Sequence, residues 1–180
     1  PNTVQKACIN LVKNNIHFFS LHIQGGSKMT VSAVKAVKAA AKRYEKEPPV
    51  ILGVTLLSSF GQRTLTEELC VDKNIEDYVL QLAKVAHTSG LDGVVASADE
   101  AKRIRKQIGD DYIIVCPATR PTWAGVDDQV RVDTPREAIL AGVDFMVIGR
   151  PITKSENRIA AAKLVIDEIE TALEDLKAAV

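Results

Sequence analysis

Apolar positions along the chain switch repeatedly between helical spacing and short continuous runs, and that alternation is the first constraint on the fold. Val4, Ala7, Cys8, Leu11 and Val12 fall on one helical face, with Asn2 or Thr3 placed to cap it and Asn14-Asn15 to end it. Residues 16–23, rich in Phe and Ile, read as a strand that stops at Gln24-Gly25-Gly26-Ser27. From 28 to about 47, Val34, Val37, Ala40, Ala41 and Tyr44 form one stripe, with Lys35, Lys38 and Lys42 opposite. Pro48-Pro49 ends that helix. The pattern then predicts strands at 50–57, 92–96, 112–116 and 144–148. Between and after them it predicts a short helix at 66–70 and longer ones at 75–90, at 98–109, from Thr134-Pro135, and from about 156 to the end.

Strands and helices that alternate in this way build an α/β domain with a parallel sheet and right-handed crossovers. Residues 1–180 fit one domain. Val143-Asp144-Phe145-Met146-Val147-Ile148 is apolar at nearly every position, which suits a strand covered on both faces. The helix ahead of the first predicted strand implies a preceding strand.

Composition narrows the partners. Lys plus Arg number 23 and Asp plus Glu 23, so no overall field favours nucleic acid or an anionic membrane, and any anion must be met by a few placed groups. Cys8, Cys70 and Cys116 lie far apart without metal-ligand spacing and read as reduced structural residues, with no zinc site. No apolar run reaches the roughly 18 residues of a membrane span, and no signal-peptide pattern precedes the first helix. The expectation is a cytoplasmic protein. Residue 1 is proline rather than methionine.

The run Val147-Ile148-Gly149-Arg150-Pro151-Ile152 reads as a strand end built to hold a phosphate. Gly149 removes a Cβ so that backbone N–H can approach an anion, and Arg150 adds a planar charged fork. The plainer alternative is a turn glycine beside a surface arginine. His22, Gln24, Ser58, Ser59, Ser97, Arg120 and Arg150 all fall at predicted strand ends, the functional face of an α/β barrel. Against this, any chain has polar residues where strands end. The segment 117–132 is long for a strand-to-helix connection, and from it Arg120 and Gln129 can reach an anion at Gly149-Arg150; a surface insert is the competing reading. Trp123, with Phe60, is either a lid residue or simply exposed. His87 falls late in a helix as a partner for its C-terminal dipole. No acid–base pair, nucleophile triad, Walker loop, G-x-G-x-x-G or metal motif is present, so no catalytic residue is assigned within the chain.

These motifs together resemble the orotidine 5′-phosphate decarboxylase family. Pro1-Asn2-Thr3-Val4 resembles the stretch that follows the family's Asp-x-Lys-x-x-Asp motif, and His22 with Gly25-Gly26 its His-x-x-Gly-Gly turn. Val54-Thr55-Leu56-Leu57-Ser58-Ser59 and Gly93-Val94-Val95-Ala96-Ser97 resemble later strand ends. Pro117-Ala118-Thr119-Arg120-Pro121, Asp127-Asp128-Gln129-x-Arg131 and Val147 to Thr153 resemble its bacterial phosphate end. The resemblance implies a (β/α)8 TIM-type barrel of which this chain supplies strands 4–8. It implies a homodimer with shared sites, and decarboxylation to uridine 5′-phosphate without metal or organic cofactor. Gly149 (through its N–H), Arg150, Arg120 and Gln129 would bind phosphate, Ser58 the pyrimidine, and Thr3 the ribose; the catalytic Lys/Asp cluster would precede Pro1, and His22 receives no role. Ala118 departs from the family's glycine, which puts the flexibility expected there in question. Two other readings stand beside this one: a sugar-phosphate decarboxylase or aldolase of the same barrel group, and a catalytically silent phosphate-binding module built as an open doubly wound sheet.

Overall fold

The computed structural model describes residues 1–124 and 133–178. Helix α1 (Asn2–Lys13) buries Cys8 and Val12 and packs on α2 (Ser27–Tyr44). Pro1 occupies the N-cap of α1 and no side chain caps it; Asn2 and Thr3 lie inside the helix, contrary to their predicted capping role. In α2 the predicted stripe is the buried one: Val34, Val37, Ala40 and Ala41 all face the core. This helix ends at Tyr44, before the prolines. Glu45 turns left-handed (φ 52°) and the Lys46 N–H donates back to the Ala41 carbonyl at 3.0 Å, which closes the last turn.

The strands are β1 (Phe18–His22), β2 (Val50–Val54), β3 (Gly93–Val95), β4 (Ile113–Cys116) and β5 (Phe145–Met146). The remaining helices are α3 (Ile75–Thr88), α4 (Ala98–Ile108), α5 (Pro135–Leu140), α6 (Arg150–Thr153) and α7 (Arg158–Ala178). A π-helical turn, Thr64–Glu68, replaces the short helix predicted at 66–70.

All four strand pairings are parallel, and the order in the sheet is the order in the chain. A doubly wound sheet reverses at a switch point and carries helices on both faces. Sequential order with right-handed crossovers keeps the helices on one face, as five consecutive units of a β/α barrel require. The register agrees. Leu21, Ile51, Val94, Ile114 and Cys116 share the face that joins the helices in the core, together with Val37, Val79, Ala83 and Ile104. Phe18, Leu52, Val95, Val115 and Phe145 share the other.

That second face is concave. Strands spaced about 4.8 Å apart would put β1 and β5 about 19 Å from each other in a flat sheet. The Phe18 and Phe145 rings instead meet edge to face with centroids 5.5 Å apart. Phe145 and Val147 nevertheless remain 49% and 55% exposed, so the run 143–148 is covered on its helix side and not on both faces as its composition suggests.

One device recurs at the N-terminal ends of the strands. Gly90-Leu91-Asp92 and Gly142-Val143-Asp144 each turn through a glycine of positive φ (83° and 82°) and bury the apolar residue that follows. The aspartate then accepts a backbone N–H from the neighbouring strand: Asp92 from Ile51 at 2.8 Å, Asp144 from Ile114 at 2.7 Å. Arg105 of α4 reinforces the second copy. It donates to the Gly142 carbonyl at 2.8 and 2.9 Å, to the Asp110 and Tyr112 carbonyls at 2.7 and 2.5 Å, and to the Asp144 carboxylate at 2.5 Å.

The cysteines divide by burial. Cys8 and Cys116 are buried and Cys70 is exposed, all three as free thiols, so the structural role read for all three holds for two. Burial raises the pKa of Cys8 and pushes that of Cys116 up to about 12, which keeps both as unreactive thiols. A thiol reagent at pH 7.5 is expected to label one cysteine per native chain, Cys70, and the other two only after denaturation. Rapid native labelling of three would contradict this packing.

Candidate functional site

The C-terminal ends of β4 and β5 converge on one cavity. At the exit of β4, Ala118 adopts a left-handed conformation (φ 59°). For a residue with a Cβ this costs roughly 1–2 kcal/mol, and it is the shape that glycine adopts freely. Ala118 thus reproduces the backbone form that a glycine would supply, at that cost. Thr119 and Arg120 follow, both buried, and the Thr119 hydroxyl donates to the Cys116 carbonyl at 3.4 Å.

The Arg120 N–H donates to the Asp133 carbonyl at 2.8 Å and so clasps the two ends of the excursion 121–132. Asp127, Asp128, Gln129 and Arg131, the other members of the predicted phosphate end, lie outside the described residues. The Asp133 carboxylate is buried and accepts the N–H of Ala98, the first residue of α4, at 2.8 Å. Burial pushes its pKa above the usual carboxylate value; the hydrogen bond from Ala98 pulls the other way, and the charges of Asp99 and Glu100 add to the rise.

At the exit of β5, the Gly149 carbonyl accepts from Ile152 and Thr153 at 3.0 Å each and opens α6. A Cβ built on Gly149 would meet no atom within 4 Å. No neighbour among the described residues therefore demands glycine here, and the space beside them is available to a ligand. Arg150 begins α6 and Lys154 follows one turn later.

A cavity of about 280 Å³ is lined by Arg120, Trp123, Arg150, Pro151, Lys154 and Ser155. Small-molecule pockets start at about 300 Å³, so this one suits the end of a ligand rather than a whole nucleotide. Three cationic side chains on two successive strand exits fit an anionic end.

The structure thus brings Arg120 and Arg150 together, with Gly149 adjacent in the chain. Thr3, exposed on α1, and Ser58, half-buried after β2, do not line this cavity. His22 is exposed at the end of β1. Ser97 proves structural: it caps α4, and the Glu100 carboxylate accepts both its N–H, at 2.7 Å, and its hydroxyl. Its S-x-x-E spacing is the capping-box signal and was legible. His87 stacks edge-on against Tyr112 at 5.3 Å. Sequence reasoning missed Lys154, whose i+4 spacing from Arg150 was the available clue, and Asp133, which carries no motif. No cluster of metal-ligating side chains occurs among the described residues.

Residues 1–165 match the model of the family described as Orotidine 5'-phosphate decarboxylase / HUMPS family. The orotidine 5′-phosphate decarboxylase of Syntrophotalea carbinolica is 45% identical over 97% of this chain and 71% of its own length. That of Trichlorobacter lovleyi is 44% identical over 94% and 69%. The crystal structure of the Lactobacillus acidophilus enzyme of that name superposes with a TM-score of 0.78 at 35% identity, covering 94% of this chain and 70% of that one. The family match spans both cationic strand ends.

Proposed function

The chain belongs to the orotidine 5′-phosphate decarboxylase / HUMPS family, and from that premise we propose that its cationic cavity grips the 5′-phosphate of orotidine 5′-phosphate during decarboxylation to uridine 5′-phosphate. The observation that carries this reading is the meeting of Arg120 and Arg150, from successive strand exits, in one cavity beside the uncrowded Gly149. In the proposed complex Arg150 and the Gly149 N–H hold phosphate, assisted by Arg120 and Gln129. Ser58 hydrogen-bonds the pyrimidine, and Thr3 contacts ribose across a homodimer interface.

Decarboxylation leaves a carbanion at C6 of the pyrimidine that must be protonated. In the family resemblance that proton comes from the lysine of Asp-x-Lys-x-x-Asp, a motif that does not occur within residues 1–180. The contribution of this chain is therefore remote: phosphate binding energy is directed to closure of the site and to the transition state. No helix among the described residues is long and apolar enough to cross a membrane, and a cytoplasmic homodimer is the proposed setting.

The protein carrying this chain is expected to convert orotidine 5′-phosphate to uridine 5′-phosphate with release of carbon dioxide, followed by loss of the orotate absorbance. Turnover of a keto-sugar phosphate, with orotidine 5′-phosphate left untouched, would replace this substrate by the sugar-phosphate alternative.

A further inference from the structure

We propose that Asp133 is a positioning residue for the phosphate end of the site, fixing Arg120 against the N-terminus of α4. The inference rests on Arg120 being a phosphate ligand.

Besides the Cys116 thiol, which donates to its carboxylate at 3.7 Å, Asp133 makes two contacts of different origin. Its main-chain carbonyl takes the Arg120 N–H at 2.8 Å, and its carboxylate takes the Ala98 N–H at 2.8 Å. One residue thereby joins the exit of β4 to the exit of β3. The helix it leans on is itself well held. Ser97 and Glu100 cap its start, and Arg103 pairs with Glu76 and Asp77 of α3 at 2.8 and 2.6 Å. Directly after Asp133, Thr134 caps α5, its hydroxyl accepting the Glu137 N–H at 3.1 Å. Through Asp133 the Arg120 backbone is therefore referenced to two helices.

A carboxylate 7% exposed is an expensive way to fill space. An apolar residue would pack there without the desolvation cost but would leave the Ala98 N–H without this acceptor. The gain is geometric. Binding groups need to sit within roughly 0.5 Å of their productive positions, and the second contact of Asp133 restrains the backbone from which the Arg120 side chain departs.

A purely structural role predicts a different pattern from a positioning role, and a double-mutant cycle separates them. Binding of uridine 5′-phosphate to the protein carrying this chain would be measured calorimetrically for wild type, Asp133→Ala, Arg120→Ala and the double variant, with thermal melts of all four. Asp133→Ala is expected to weaken binding about tenfold, the scale of one lost charge-assisted hydrogen bond. Asp133→Asn, which keeps an acceptor, is expected to restore most of it. The double variant should bind no more weakly than Arg120→Ala alone, while Asp133→Ala lowers the melting temperature equally in both backgrounds. If Asp133→Ala does not fold, Asp133→Ser, too short to reach Ala98, takes its place in the cycle. Weak binding by Arg120→Ala with wild-type affinity in Asp133→Ala, or losses that multiply in the double variant, would overturn the coupling alone. Wild-type affinity in Arg120→Ala would overturn the phosphate assignment and the coupling with it.

Discussion

Arg150→Ala is expected to weaken binding of uridine 5′-phosphate by roughly 10- to 150-fold, with little change in melting temperature. A charge-assisted hydrogen bond to phosphate is worth about 1.5–3 kcal/mol, and each 1.4 kcal/mol is tenfold in affinity. Arg150 lines the cavity, half-buried, in the first turn of a four-residue helix. Its contribution to folding should therefore be about 1 kcal/mol or less. Arg150→Lys should recover only part of the loss, because a point charge cannot offer the two parallel donors of a guanidinium. Turnover should fall as well as affinity, since phosphate binding is used for closure. Calorimetric titration at low and high salt checks the affinity, and initial rates of orotidine 5′-phosphate conversion check the turnover. Unchanged affinity in Arg150→Ala would remove this side chain from the site.

Arg105→Ala should do the reverse: a stability loss of about 2–4 kcal/mol, with phosphate affinity per folded molecule unaltered. The guanidinium serves three carbonyls and one carboxylate, and its side chain is only 13% exposed. Truncation leaves the Gly142 and Tyr112 carbonyls short of a donor. It also deprives Asp144 of its cation while Asp144 still caps Ile114. All of this lies at the N-terminal end of β4 and β5, away from the cavity. For a chain of this size the loss corresponds to a drop in melting temperature on the order of 10 °C. A denaturant midpoint within error of wild type would show that the clasp is dispensable. Arg105→Lys should fail to substitute, because one ammonium cannot span acceptors on both sides of the strand start.

The two arginines also show what could be read from sequence. Arg150 and Arg120 were legible because each follows an apolar run, and in a parallel sheet successive run ends lie side by side. Arg105 looks like any charge on an amphipathic helix; three of its four acceptors are main-chain carbonyls, which no side-chain pattern announces. The same holds for Asp133. Strand lengths were overread at 50–57 and 144–148 for a related reason. Leu56 is buried in a loop, and Val147 lies past β5 although its N–H still donates to the Cys116 carbonyl at 2.8 Å, so apolarity there reports where the chain runs and not where a strand stops. The capping role of Ser97 was open to a reader of S-x-x-E, whereas the curl of the sheet was not, because it depends on how five strands add.

That curl has a kinetic side. Each strand pairs with the one made just before it in the chain, so assembly of the sheet closes only one β/α unit at a time, and the entropy of each closure is modest. The contact of Phe18 with Phe145 is of another kind, since it joins the first strand to the last and cannot form until every unit between them has docked. It belongs to the end of folding rather than to its nucleus. A contact made that late leaves the folding rate almost untouched and acts on how slowly the finished structure comes apart.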